Sequence, residues 1–88
     1  MEQPLKRIKR LARSLPESDI KFASKYIETR QFDKLLEIVE SDIYLVFQNE
    51  LLEHPKEKFI NIDTKKLMEL KSAIEDYMSY LVPDSDWI

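Results

Sequence analysis

Not one of the 88 residues is glycine. Glycine enters left-handed backbone positions without steric cost, and tight β-hairpins and helix ends draw on it for that reason. A chain without it must turn with Asn, Asp and Pro. It is poorly equipped for a meander of hairpins, and it holds neither the GxGxxG fingerprint nor the GxxxxGK[ST] loop that cradles phosphates. The expectation is an all-α protein, a small bundle of three or four helices joined by short polar links.

Periodicity places the helices. The first is expected over about 4–14. Pro4 suits a first helical position, and Leu5, Ile8, Leu11, Ala12 and Leu15 form one stripe. On the other side of the wheel lie Lys6, Lys9, Arg10 and Arg13, with Arg7 apart. A break follows at "SLPES", where Ser14 and Glu17 have capping-box spacing and Pro16 fits a first turn. The second helix is expected over about 16–30. Its core row is Ile20, Ala23 and Ile27, with Phe22 and Tyr26 beside it. The link at Thr29–Gln31 reads equally as a break or as a kink in one long helix.

The third helix is expected over about 32–53, ended by Pro55. Phe32, Leu35, Leu36, Val39, Ile43, Val46 and Phe47 fall in one arc of roughly 120°. Its run "IYLVF" also fits a buried strand, but the apolar periodicity continues for more than 20 residues without a turn signal, which favours the helix. Almost opposite the arc stand Ile38, Leu45 and Leu52, spaced by seven like a helix–helix seam, with Tyr44 and Leu51 as a smaller patch. The third helix is therefore the central, doubly apolar element. Leaving its second face wet forgoes ~1.5–3 kcal/mol per large side chain, so either the first helix or another chain is expected to cover it.

The fourth helix is expected over about 64–81. Asp63 is its N-cap, and Ile62 and Leu67 stand at staple positions. Leu67, Leu70, Ala73, Ile74, Tyr77, Met78 and Leu81 form a broad apolar face, ended by Pro83. An acidic tail, 82–88, carries Trp87 between Asp86 and Ile88. With no repeat or linker, residues 1–88 read as one helical domain.

Residue types narrow the chemistry. There is no cysteine, hence no disulfide or thiolate site, and a reducing, cytoplasmic setting is expected. No apolar run approaches the ~20 residues of a membrane span, and "MEQPLKRIKR" lacks a signal-peptide core. A single histidine, His54, supplies neither a metal pair nor the two Glu-x-x-His motifs of a di-iron bundle. "NIDTKK" lacks the ligands of a calcium loop. Glu37 with Glu40, and Glu75 with Asp76, read as solvated faces, since acid–base work needs a carboxylate pair held in a cleft. Neither catalytic residues nor a cofactor, metal or small-molecule substrate is expected.

Charge is unevenly spread. Residues 1–13 hold five cations against Glu2, a net +4, while the remainder holds nine basic and sixteen acidic residues, a net −7. Such a basic end can dock phosphates of nucleic acid through Lys6, Arg7, Lys9, Arg10 and Arg13. It can also lie on an anionic membrane, although its apolar stripe is short and has no aromatic anchor. In outline the first two helices resemble a helix-turn-helix, but base-reading Arg and Asn residues are lacking after the turn. Trp87 beside Asp84 and Asp86 fits a short docking motif, Trp being enriched at binding hot spots. The leading expectation is a non-enzymatic protein–protein interaction module, an adaptor, inhibitor or structural subunit. It meets another protein or a copy of itself through Ile38, Leu45, Leu52, Tyr44 and Trp87. Nucleic-acid binding through the basic helix is the alternative. Richness in Ile, Lys, Glu and Asp resembles small accessory proteins of bacteria, phages or mobile elements.

Overall fold

The computed structural model of the chain describes residues 3–81. It is a small all-α bundle: α1 (Pro4–Ala12), α2 (Glu17–Glu28), α3 (Phe32–Glu50) and α4 (Thr64–Leu81), with one 3-10 turn at Glu57–Phe59 between the last two. Each helix packs on the next in sequence, and α1 closes the ring against α4. Neighbours run antiparallel. Phe32 at the start of α3 meets Tyr77 near the end of α4, ring centroids 4.9 Å apart in an edge-on contact. Pro4 and Arg7 at the start of α1 share a groove with Ala73, Asp76, Tyr77 and Tyr80 late in α4.

The core is the set of facing apolar stripes. Ile8 and Leu11 of α1, Leu35 and Val39 of α3, and Leu67, Leu70 and Ile74 of α4 are fully buried, and α2 contributes Ala23 and Ile27. The expected faces of α1 and α4 are the buried ones. The first helix therefore spends its stripe on α4 and α2, and does not cover the back of α3. Phe22, expected toward the core, is exposed. The buried residues of α2 are Ala23 and Ile27, and Phe22 lies outside that stripe.

Local chemistry sets the ends, and the ends are tighter than the apolar pattern implied. After α1, successive i→i+3 bonds from Arg13, Ser14 and Leu15 to Arg10, Leu11 and Ala12 wind the chain into the turn. Ser14 is thereby held in the turn that follows α1, and the capping box with Glu17 does not form. Instead extended Pro16, buried beside Leu15, precedes α2 without a side-chain cap. Helix α4 is capped as expected: Asp63 Oδ1 accepts from the amides of Lys65 at 3.0 Å and Lys66 at 3.4 Å. Ile62 packs against the core just ahead of buried Leu67.

Helices α2 and α3 are separate. Arg30 takes φ 60, the left-handed region. Its amide donates to Ile27 O at 3.3 Å, and the Gln31 amide donates to Tyr26 O at 2.8 Å. Together these are the two bonds of a Schellman C-cap, with arginine in the seat that glycine usually takes. The turn is braced by Thr29 Oγ1, which donates to Lys25 O at 2.8 Å and accepts from Gln31 Nε2 at 2.6 Å.

The third helix stops at Glu50, before the expected Glu53 and ahead of Pro55. Asn49 explains the early stop. Its Nδ2 donates to Lys56 O at 3.2 Å, and its Oδ1 accepts from the Lys56 amide at 2.7 Å. This two-point clasp turns the chain back at once, and it sets buried Phe59 under the end of the bundle.

Candidate functional site

The buried residues of α3 are Phe32, Leu35, Val39, Asp42, Val46 and Asn49. They recur at alternating intervals of three and four, the a/d spacing of a packed helix seam. At 100° per residue this seam is rotated by roughly 50° from the purely apolar arc. Two polar residues turn inward as a result, and Phe47, expected in the core, turns out into solvent. The rotation follows from its partners. Asn49 must face the Lys56 backbone, and Asp42 meets the carboxyl of Asp19 on α2, which hydrogen-bonds it.

The same rotation relocates the row Ile38, Leu45 and Leu52. It flanks the buried Asp42 and Asn49 directly, and does not stand opposite the core. Ile38 is half-buried, Leu45 is 39% exposed and Leu52 is 46% exposed. Tyr44, at 63%, lies toward the other flank with exposed Phe47 and Leu51. Nothing among the described residues covers either ridge. Trp87 lies outside the described residues.

Between the row and α2 is a recess of about 310 Å³, lined by Asp19, Glu37, Ile38, Ser41, Asp42, Leu45 and Lys58. Asp42 is only 4% exposed, and its Oδ2 is buried with no hydrogen-bond partner. Burial first, then the hydrogen bond and the negative charge of Asp19, push its pKa up from 3.8 to about 7, against the opposing positive charge of Lys58. Lys58 does not rest on the acids: its Nζ lies over the Phe59 ring, 4.9 Å from the centroid. Neither Asp19 nor Asp42 was singled out by the sequence reading. The signal was available, because the a/d spacing of α3 is regular once polar residues are admitted to it.

The cations of α1 divide into two places. Lys6, Lys9, Arg10 and Arg13 line one shallow depression of about 300 Å³ on the outside of the bundle. Arg7 lies in the larger α1–α4 groove of about 540 Å³, with Asp76, Tyr77 and Tyr80. The basic helix lies on the bundle, held by Ile8, Leu11 and Ala12, and its cations face outward. His54 is exposed in the loop after α3. Among the described residues no group of three or more His, Cys, Asp or Glu side chains is placed to hold a metal ion, and no helix is long and apolar enough to cross a membrane.

These features define a class: a small antiparallel four-helix bundle in which an exposed apolar row, on the third helix and just past its end, flanks the buried Asp42 and its half-buried neighbour Asp19. Compared with known proteins, the chain matches no family model, no curated protein and no solved structure.

Proposed function

We propose that the protein is a non-enzymatic interaction module that engages another protein through the exposed face of α3. One observation carries the reading. The helix buries Asp42 and Asn49 while Leu45, Leu52, Tyr44, Phe47 and Leu51 face water. Isolated apolar side chains on a surface are ordinary, but here five large ones crowd the nine residues from Tyr44 to Leu52, at the end of α3 and just past it. An apolar helix face of this kind is what groove-binding and helix-packing partners recognise. Acidic residues around it, in a body of net −7, add charge complementarity toward a basic partner.

A photo-crosslinking residue placed at position 45 or 52 tests this in cells. The expected result is one discrete adduct from both positions and none from exposed Lys34 on the same helix. Leu45→Glu should abolish the adduct formed from position 52 while leaving stability within about 0.5 kcal/mol, since its side chain is already partly wet. Failure of both positions to give an adduct refutes the reading.

A second reading is supported by the gathering of Lys6, Lys9, Arg10 and Arg13 around one depression. Nucleic-acid binding there appears as fluorescence anisotropy of a random duplex that rises at low salt and collapses as salt is added. A flat titration at low salt refutes it.

A further inference from the structure

We infer that the recess between Ile38 and Leu45 is the seat for one arginine side chain of the partner that covers α3, with Asp19 and Asp42 receiving its guanidinium. The inference rests on the interaction reading above and deepens it by naming the chemistry the partner brings. Its starting point is the orphan oxygen. A native chain rarely leaves a buried carboxyl oxygen without a hydrogen-bond donor, because the desolvation of that oxygen is then uncompensated. Asp42 Oδ2 is such an oxygen, and Asp42 is the buried residue of the recess wall.

Among the described residues no donor meets that oxygen. Lys58 is the cation among them that lines the recess, and its ammonium lies over the Phe59 ring. A metal ion is a poor fit, since the acids of the recess do not gather into a metal-holding group. An organic cation suits the walls better. Ile38 and Leu45 offer apolar surface to the methylene stem, and Asp19 with Asp42 offers two adjacent carboxyls to the head. A guanidinium is planar, carries five donors and can bridge two carboxyls, whereas an ammonium is a compact and more strongly hydrated point charge. Glu37 at the rim adds attraction, and Lys58 opposes it. The volume, about 310 Å³, suits one long side chain and excludes a whole helix. The partner thus lays its apolar face along Leu45 and Leu52 and drops one arginine into the recess.

Protonation enters the binding. The carboxyl pair takes the guanidinium only when both acids are ionised, so seating the cation releases the proton that Asp42 holds below neutral pH. Groups facing Asp42 that shape this balance are Asp19 on α2, Lys58 in the 3-10 turn and Glu37 on α3 itself.

The test uses the intact chain and n-butylguanidinium, followed by ¹⁵N-resolved amide shifts. At pH 8 the expected result is saturable shifts at residues 19, 37, 38, 42 and 45, with a dissociation constant of about 5–80 mM for one charge-assisted contact. At pH 5.5 binding should weaken by roughly tenfold or more. Asp42→Asn, and separately Asp19→Asn, should remove the shifts while the remaining spectrum stays folded. Absence of saturable shifts, or shifts that persist in both variants, overturns the inference. Equal binding of n-butylammonium overturns the choice of arginine. 1-Butanol separates the two levels: shifts along Leu45 and Leu52 with butanol, joined to a null result with the guanidinium, overturn the arginine seat and leave the interaction reading standing.

Discussion

Asp42→Asn removes one titrating oxygen from the contact between α2 and α3 and leaves its size almost unchanged. Asp42 carries a pKa of about 7 in the fold against 3.8 in an unperturbed chain. Between those values the native state holds a proton that the unfolded chain has already lost. The stability contribution of the protonated form is therefore complete below the unfolded value, and it drains away as pH rises toward the folded value. The slope for one proton is about 1.4 kcal/mol per pH unit. From pH 5.5 to 8.5 only the part below about 7 counts, so the wild-type protein should lose about 2 kcal/mol. For a domain of this size that is a fall of about 8–16 °C in Tm. In the asparagine variant this component is absent. Urea unfolding followed by circular dichroism across this pH range measures the difference directly. If the two stability curves run parallel, Asp42 does not hold a proton in the native state, and the account of how α3 is seated is wrong.

Asn49→Ala should cost about 1–3 kcal/mol, because two backbone groups of Lys56 lose their partner at once; amide hydrogen exchange should accelerate selectively over residues 50–60. Arg30→Gly should raise stability by about 0.5–1 kcal/mol, since the left-handed seat strains every side chain but glycine's; a lowered urea midpoint contradicts that cap geometry. Leu70→Ala, in contrast, should cost about 2–5 kcal/mol as a fully buried deletion, and unfolding within error of wild type argues against the packing of α4.

Local rules made much of the bundle legible. Stripes at helical spacing marked all four helices, and Asp63 announced the start of α4 through a cap that needs no tertiary partner. What escaped was decided between elements. The face that α3 buries depends on Asp19, 23 residues before Asp42 and on another helix, and on the backbone of Lys56 beyond a loop. Hydrophobicity alone cannot rank Asp42 above Phe47 for burial, because the rank depends on which polar groups meet. Arg30 escaped for a related reason. Asn, Asp and Pro were the expected turn residues, yet the turn geometry was imposed by the packing of α2 on α3, and the chain placed its strain on an arginine. The apolar row Ile38, Leu45 and Leu52 was legible as a row of residues; its position beside Asp19 and Asp42 was not.

The ring of helices has a kinetic consequence. Three of its four packing contacts join helices adjacent in sequence, and such local contacts assemble fast, typically within microseconds to milliseconds. The fourth contact, α1 on α4, must bring together segments separated by the whole of α2 and α3. Its loop-closure entropy is the largest of the set, so it is expected to form last, although once formed it is as extensive as the packing of α3 on α4. The groove holding Pro4, Arg7, Tyr77 and Tyr80 marks that seam. A molecule in which that seam has yet to close would thus hold its cationic helix away from α4 while the paired α2–α3 unit, and the row on α3, had already taken shape.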